Sequence, residues 1–400
     1  MTRILCAGVD AASYYRMNQD GDLVVHPDGG CALNSSAPVV KQLVVDSLRH
    51  WVMEYHIDGF FVHNTDELQH GRAGELLTYS ELLESLAMDP VLRAAKLYAG
   101  VTSDRPPMPH WEVWGERNPC FRDDIWRFLR GAPNSKGMFA TRLCGSADRL
   151  GARGAGYGLN SVAGPKTSTL VDSVDSPIEF AGAEDEEGAA AKPAALGSAP
   201  LIPQGELPVK HRQVRNALLA LFLSQGVPVV AMGDEYGHTR GGAPCAPPSA
   251  GEPNLFRWDA VGEAGPQAAK HLLQFQRQLA ALRKRRPELS SAVVHSKCKS
   301  RFFGTELHEP DWESAEPQLA VMFTSSDIRS PGGVYCAFNP SSSSATFNLP
   351  PPPAGTKWWQ LLDTRLMESQ ITPISSSTSL TLAPFSAVLV EATTASPPSF

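Results

Sequence analysis

The stretch "PVVKQLVVDSLRHWVMEYHIDGFFV", residues 38–62, carries a change of period. Its first eighteen residues place Val39, Leu43, Leu48, Trp51, Val52 and Tyr55 on one helical face, and Pro38 suits a first turn where no N–H is needed. The spacing predicts an amphipathic helix over 38–55. "IDGFFV" then follows as a short, nearly continuous apolar run, the pattern of a parallel strand buried on both faces. Downstream, "YSELLESLAMDPVLRAAK" (79–96) reads as a helix up to Asp89-Pro90, and "LYAG" (97–100) as a second buried strand, which completes a βαβ unit. "HRQVRNALLALFLSQ" (211–225) is a strong helix ending at Gly226, and "VPVVAMGDEYG" (227–237) is the next strand with its loop. Such alternation specifies a parallel α/β architecture, either a closed barrel or an open sheet.

Two regions break the pattern. Residues 181–205, "AGAEDEEGAAAKPAALGSAPLIPQG", are Ala, Gly, Pro and acidic residues with few large apolar side chains, the composition of a flexible insertion. After about residue 290 helical periodicity stops. Short runs ("QLAVMF", "GGVYCAF", "SATFNL", "KWWQLL", "SAVLVE") separated by Pro, Ser and Gly predict an antiparallel β-sandwich domain over 290–400, with a disordered tail "TTASPPSF". The α/β part then occupies 1–289.

Bulk properties narrow the function classes. The chain has 400 residues, 42% apolar and 19% charged, enough for a sizeable core. A net charge of -7 without basic runs argues against nucleic acid or an anionic membrane as partner, and neutral polar ligands fit better. No apolar run reaches the roughly 18 residues that span a bilayer. Neither a signal peptide nor a convincing transit segment is visible in residues 1–30. The seven cysteines (Cys6, Cys31, Cys120, Cys144, Cys245, Cys298, Cys336) are odd in number and form no CxxC pair, so neither zinc ribbons nor a disulfide framework is expected. No metal or cofactor is expected.

Several segments together, "GVDAASYY" (8–15), "PVVKQLVVDSLRHWVMEYHIDGF" (38–60), "PHWEVWGERNPCFRDDIWRFLRG" (109–131), "LCGS" (143–146), "SQGVPVVAMGDEYGHTRGG" (224–242) and "NLFRWD" (254–259), resemble the plant and algal isoamylases, starch-debranching members of the α-amylase superfamily. The resemblance runs with gaps from residue 8 to about 390. It implies a partial (β/α)8 barrel, about strands four to eight, followed by the antiparallel β domain. It also implies that a carbohydrate-binding module and strands one to three lie ahead of "GVDAASYY", so that the chain corresponds to roughly the second half of a full-length relative.

The chemistry implied by that resemblance uses two carboxylates about 5 to 5.5 Å apart, a nucleophile and a general acid/base. In active relatives the nucleophile ends a strand reading D-G-F-R-F-D. Here Asp58, Gly59 and Phe60 match, but Phe61 stands for the arginine, Val62 for the phenylalanine and His63 for the nucleophile. Imidazole cannot replace a carboxylate beside an oxocarbenium ion. Aligning "KLYAGVTSD" puts Gly100 at the acid/base glutamate. At the H-D of the third site stand Pro165 and Lys166, and the lysine brings positive charge to where cationic character develops. With His63, Gly100 and Lys166 in place of three acids, the resemblance implies a catalytically inactive class, a non-catalytic subunit that binds branched, amylopectin-type α-glucan, forms a hetero-oligomer with a catalytic isoamylase, or both, in the plastid.

Other readings stay open at this level. His63 by itself is compatible with a core histidine, a metal ligand or a new base. Asp66, Asp104 and Asp172 are possible replacement carboxylates for an active α-1,6-glucosidase, because loops at the C-terminal ends of barrel strands build such sites. A truncated gene product that never folds is the third reading, since half a barrel leaves open strand edges. Trp111 and Trp114 are either core aromatics or a sugar-stacking platform, which, with Arg117 and Asn118 of the same segment, is the expected substrate-binding set. Asp234 and Glu235 are expected to orient backbone and neighbouring loops, and Lys284, Arg285 and Arg286 form a helix C-terminal charge cluster.

Overall fold

The computed structural model describes residues 7–25, 30–63, 65–71, 74–77, 79–100, 113–163, 168–175, 206–242, 251, 254–290, 298–314, 316–325, 332–374 and 379–394. They fall into two compact units, Met1–Asn118 and Pro119–Phe400. The expected insertion at 181–205 and residues 395–400 of the expected tail lie outside the described residues, whereas Thr393, at the start of that tail, ends the last strand.

The first unit opens with α1 (Ala7–Tyr14), interrupted at Asp10, and continues through α2 (Pro38–Tyr55), β1 (Gly59–Val62), α3 (Glu81–Met88), β2 (Lys96–Ala99) and β3 (Trp114–Arg117). All three strands run parallel, with β1 on β2 from Gly59↔Lys96 to Val62↔Ala99 and β2 on β3 from Leu97↔Trp114 to Ala99↔Glu116. Helix α2 has the expected bounds, but its buried side differs from the expected face. Val40 is fully buried and Val44, Val45, Leu48 and Val52 pack on the core, whereas Val39, Leu43, Trp51 and Tyr55 are exposed. The sequence offers two overlapping apolar stripes, and the hydrophobic period alone does not choose between them. Ser80 caps α3, its Oγ accepting from the Leu83 N–H at 3.5 Å. Asp89 stops the helix before Pro90 by accepting the Val91 and Leu92 N–H groups and holding the Arg49 guanidinium of α2.

The second unit begins with α4 (Pro119–Leu129), α5 (Lys136–Leu143), α6 (Ala147–Leu150), β4 (Gly158–Asn160), α7 (Leu170–Ser173), α8 (Val209–Leu223), β5 (Val227–Pro228), α9 (Trp258–Val261), α10 (Gln267–Arg285) and α11 (Pro287–Ser290). Strands β4 and β5 pair in parallel. There follow β6 (Cys298–Phe303), β7 (Leu319–Ser325), β8 (Gly333–Asn339), β9 (Ala345–Asn348), β10 (Lys357–Asp363), β11 (Thr372–Pro373), β12 (Ser379–Leu382) and β13 (Ser386–Thr393).

Six of these strands form one antiparallel sheet in the order β11-β10-β13-β8-β7-β6, and β9 pairs with β12 as a separate ribbon. Because strand side chains alternate, the sheet buries both faces. Met322, Tyr335, Trp358, Val388 and Val390 join Phe347 and Leu382 of the ribbon in one cluster, while Val321, Phe323, Phe338 and Leu389 join Phe128, Phe139, Leu219 and Phe275 of the helices in another. The β part is thus a layer between a small ribbon and the helices. Its helix-facing core is continuous with theirs, which is why α4 to α11 and β6 to β13 share one compact unit although secondary structure changes between α11 and β6.

Candidate functional site

In a parallel sheet the loops at the C-terminal ends of the strands build sites, so the strand tips of each unit are the places to look. At the tip of β1, His63 is an exposed turn residue whose ring meets Phe61 edge to face at 5.1 Å. It has no role in the described core. At the tip of β2, the Gly100 N–H donates to the Val62 carbonyl at 2.8 Å. This draws the β1 tip so close that a Cβ on residue 100 meets the His63 carbonyl oxygen at 2.2 Å and the Val62 oxygen at 3.0 Å. Position 100 therefore has room for a glycine only, and an acid/base side chain cannot stand there with this backbone.

The expected substrate-binding set divides. Trp114 is fully buried in β3, packed among Leu83, Leu86, Leu92 and Leu97, with its indole N–H donating to the Leu83 carbonyl at 3.4 Å. Its expected place in a sugar-stacking, substrate-binding set is therefore corrected. Its alternating place in β3 turns it toward α3, and of its two readings the core aromatic holds. Arg117 ends β3 half-buried and Asn118 is buried just beyond it. Trp111, Pro165, Lys166 and Asp104 lie outside the described residues.

Of the possible replacement carboxylates, Asp66 is buried in the turn after β1. Asp172 is engaged from several sides: it accepts the Thr239 hydroxyl at 2.5 Å, the Thr169 hydroxyl at 2.8 Å and the Arg240 N–H at 2.8 Å. Burial alone would raise its pKa, but these donors together hold the carboxyl below the usual range. It fastens the loop after β5 to α7. Among the described residues, no group of three or more His, Cys, Asp or Glu side chains is placed to hold a metal ion.

The loop after β5 is the best-built strand tip in the second unit. Gly233 and Gly237, both at positive φ (102° and 82°), bracket a short turn, Asp234–Tyr236. As expected for this motif, its acids orient backbone: Asp234 accepts the Leu170 N–H at 2.9 Å and Glu235 the Gly233 N–H at 2.7 Å. The Tyr236 hydroxyl accepts the Arg257 N–H at 2.9 Å and lies 3.1 Å from His238 Nδ1. From Tyr236 an aromatic series steps outward, to Phe256 at 4.9 Å and on to Trp258 at 4.5 Å. Trp258 is 78% exposed, and Arg257 and Asp259 form an exposed two-contact ion pair beside it (3.2 and 3.0 Å). An exposed indole on a rooted aromatic base is what stacks on the apolar face of a pyranose. "NLFRWD" marks the resemblance, but its Phe256-x-Trp258 pair, with Arg257 between and Asp259 after, also signals such a ledge.

Asp234 also gives a pH dependence. Burial, the larger cause, and the neighbouring Glu235 charge push its carboxyl from 3.8 up to about 6, against the opposing effect of the Leu170 N–H. The folded state holds this proton more tightly than the unfolded chain, so between about pH 4 and pH 6 its contribution to stability falls as pH rises. Asp234→Asn keeps the acceptor for Leu170 and removes the ionisation. Its melting temperature relative to wild type is expected to rise from pH 4 to pH 6.5; a constant or falling difference contradicts the assignment.

No family model matches the chain. Isoamylase 3, chloroplastic, of Oryza sativa subsp. japonica is 33% identical over 408 residues, covering 96% of this chain and 50% of that protein. Isoamylase 2, chloroplastic, of the same plant is 31% identical over 380 residues, covering 90% of this chain and 44% of that one. Among solved structures, a pullulanase from an Anoxybacillus species, complexed with maltotetraose, superposes with a TM-score of 0.62 at 16% identity, covering 94% of this chain and 50% of that one. That likeness concerns the fold alone. With 31–33% identity along at least 90% of its length, the chain is a homologue of the plant isoamylases and spans about half the length of those relatives.

Proposed function

We propose that this chain is a non-catalytic member of the isoamylase group, acting in starch metabolism by binding branched α-glucan, by pairing with an active isoamylase, or by both. The observation that carries the proposal is the closed space at Gly100, where the aligned acid/base glutamate has no room, next to an imidazole in place of the nucleophile. Retaining glycoside hydrolysis needs both carboxylates, and neither aligned position supplies one. In this reading the parallel strands of the two units correspond to about strands four to eight of a (β/α)8 barrel, and the β layer to the domain that follows it. Plastid residence is proposed from the chloroplastic relatives. Incubation of the full chain with amylopectin, followed by reducing-end counting, is expected to match a buffer control; sustained release of reducing ends would refute the proposal.

Glucan contact is assigned to the ledge at Phe256 and Trp258, in place of Trp114. Support comes from the exposed, rooted indole. Removing one exposed aromatic anchor costs on the order of 1 kcal/mol, about fivefold in affinity. Trp258→Ala is expected to migrate faster than wild type in amylopectin-containing native gels while melting at the same temperature. Equal mobility would remove the ledge from the glucan-binding surface.

A further inference from the structure

A polar cleft of about 600 Å³ lies between α10, the α9–α10 junction and the turn at 367–369, and Arg215 of α8 forms part of its wall. Arg215 is only 3% exposed. Its guanidinium donates to the Leu366 and Met367 carbonyls at 2.6 and 3.1 Å and stacks over Phe275 at 4.8 Å. Among the described residues, no carboxylate lies within ion-pair distance of it. Burial pushes this cation's pKa down to about 10, against the opposing field of the Asp363 carboxylate. The rest of the lining adds charge of both signs. Lys270 and Arg277 bring the permanent cations to three, against the carboxylates of Glu263 and Glu368, and His271 adds a further positive charge when protonated. Lys270 is held by the Glu263 carbonyl, and Glu368 reaches His271 at 3.6 Å from an exposed position.

The excess of positive charge calls for an anion, and a phosphate presents several acceptor oxygens to guanidinium and ammonium donors. Carboxylates in the same wall would repel a bare anion, but they accept hydrogen bonds from hydroxyl groups. A phosphate ester that also carries hydroxyl groups satisfies both halves of the lining. We propose that the cleft binds a phosphorylated hexose, its phosphate held by Arg215, Lys270 and Arg277 and its hydroxyls by Glu263 and Glu368. The cleft volume falls in the range of small-molecule sites, about 300–1,000 Å³. This site does not depend on the glucan-binding reading and survives its failure.

Isothermal titration of the full chain with glucose 6-phosphate, inorganic phosphate and glucose tests the proposal. Saturable binding of glucose 6-phosphate is expected, at least about tenfold weaker for phosphate alone and undetectable for glucose, because each charge-assisted contact is worth about a factor of ten. Arg277 is exposed and Lys270 half-buried, so Lys270→Ala and Arg277→Ala are expected to keep the wild-type melt and each to weaken glucose 6-phosphate binding about tenfold. Equal affinity for phosphate and glucose 6-phosphate overturns the sugar half. Binding of glucose as tight as its phosphate, unchanged affinity in both variants, or no binding of any probe overturns the whole.

Discussion

Gly100→Ala should destabilise the chain by about 2–3 kcal/mol, seen as a clear drop in the denaturant midpoint at unchanged slope. One methyl group is enough, because it would stand 2.2 Å from the His63 carbonyl oxygen, and a backbone atom between two packed strands cannot swing aside as a side-chain end does. Gly100→Glu adds a carboxylate to the same collision and is expected to cost more. Restoring His63→Asp, Gly100→Glu and Lys166→Asp together should therefore give no measurable amylopectin hydrolysis. Phe61 also occupies the place of the orienting arginine, and catalytic groups must be held within about 0.5 Å. A Gly100→Ala variant as stable as wild type would show that the β1 tip yields, and debranching by the triple variant would show that the remaining scaffold still accommodates and orients three carboxylates.

The second large effect is expected at Glu391 of β13, which is 1% exposed. Arg285 and Arg286 at the C-terminal end of α10 both bind it at 2.6 Å, and Arg286 also donates to the Ala392 carbonyl at 2.8 Å. Glu391→Ala leaves two guanidinium groups facing a buried vacancy, and breaking a buried pair from one side costs about 3–5 kcal/mol. Lys284, the exposed neighbour in the same basic run, should tolerate alanine within about 0.5 kcal/mol. Chemical denaturation of the two variants separates these outcomes. Similar losses for both would mean that α10 is fastened to β13 by packing alone.

That contrast shows what the sequence can and cannot tell. "KRR" reads as three equivalent charges at a helix end, because the carboxylate that distinguishes them lies 105 residues away from Arg286. Periodicity was sufficient for α2, whose bounds match the expected ones, and for β7, β8, β10 and β13, whose apolar runs are unambiguous. It was insufficient for the buried side of α2, where two stripes overlap, and for Trp114, since an aromatic in a strand has the same local pattern whether it faces helix or solvent. That His63 and Gly100 stand where the resemblance implies acids was legible in the motif. The closed space at Gly100 was not, because it arises from how β1 and β2 approach each other at their tips. The ledge at Trp258 depends on Tyr236, about twenty residues upstream, and on a hydroxyl that meets the Arg257 N–H.

The continuous core between the helices and the β layer has a consequence for exchanging parts between relatives. Phe323, Phe338 and Leu389 pack with Phe128, Phe139, Leu219 and Phe275, so a cut between residues 290 and 298 would pass through shared apolar surface. Aromatic stacking reinforces the seam, with Phe338 meeting Phe139 at 5.2 Å and Phe128 at 6.3 Å. The β layer is consequently no cassette. A chimera that imports it from another protein must bring α4, α5, α8 and α10 with it, or match their side-chain volumes residue by residue.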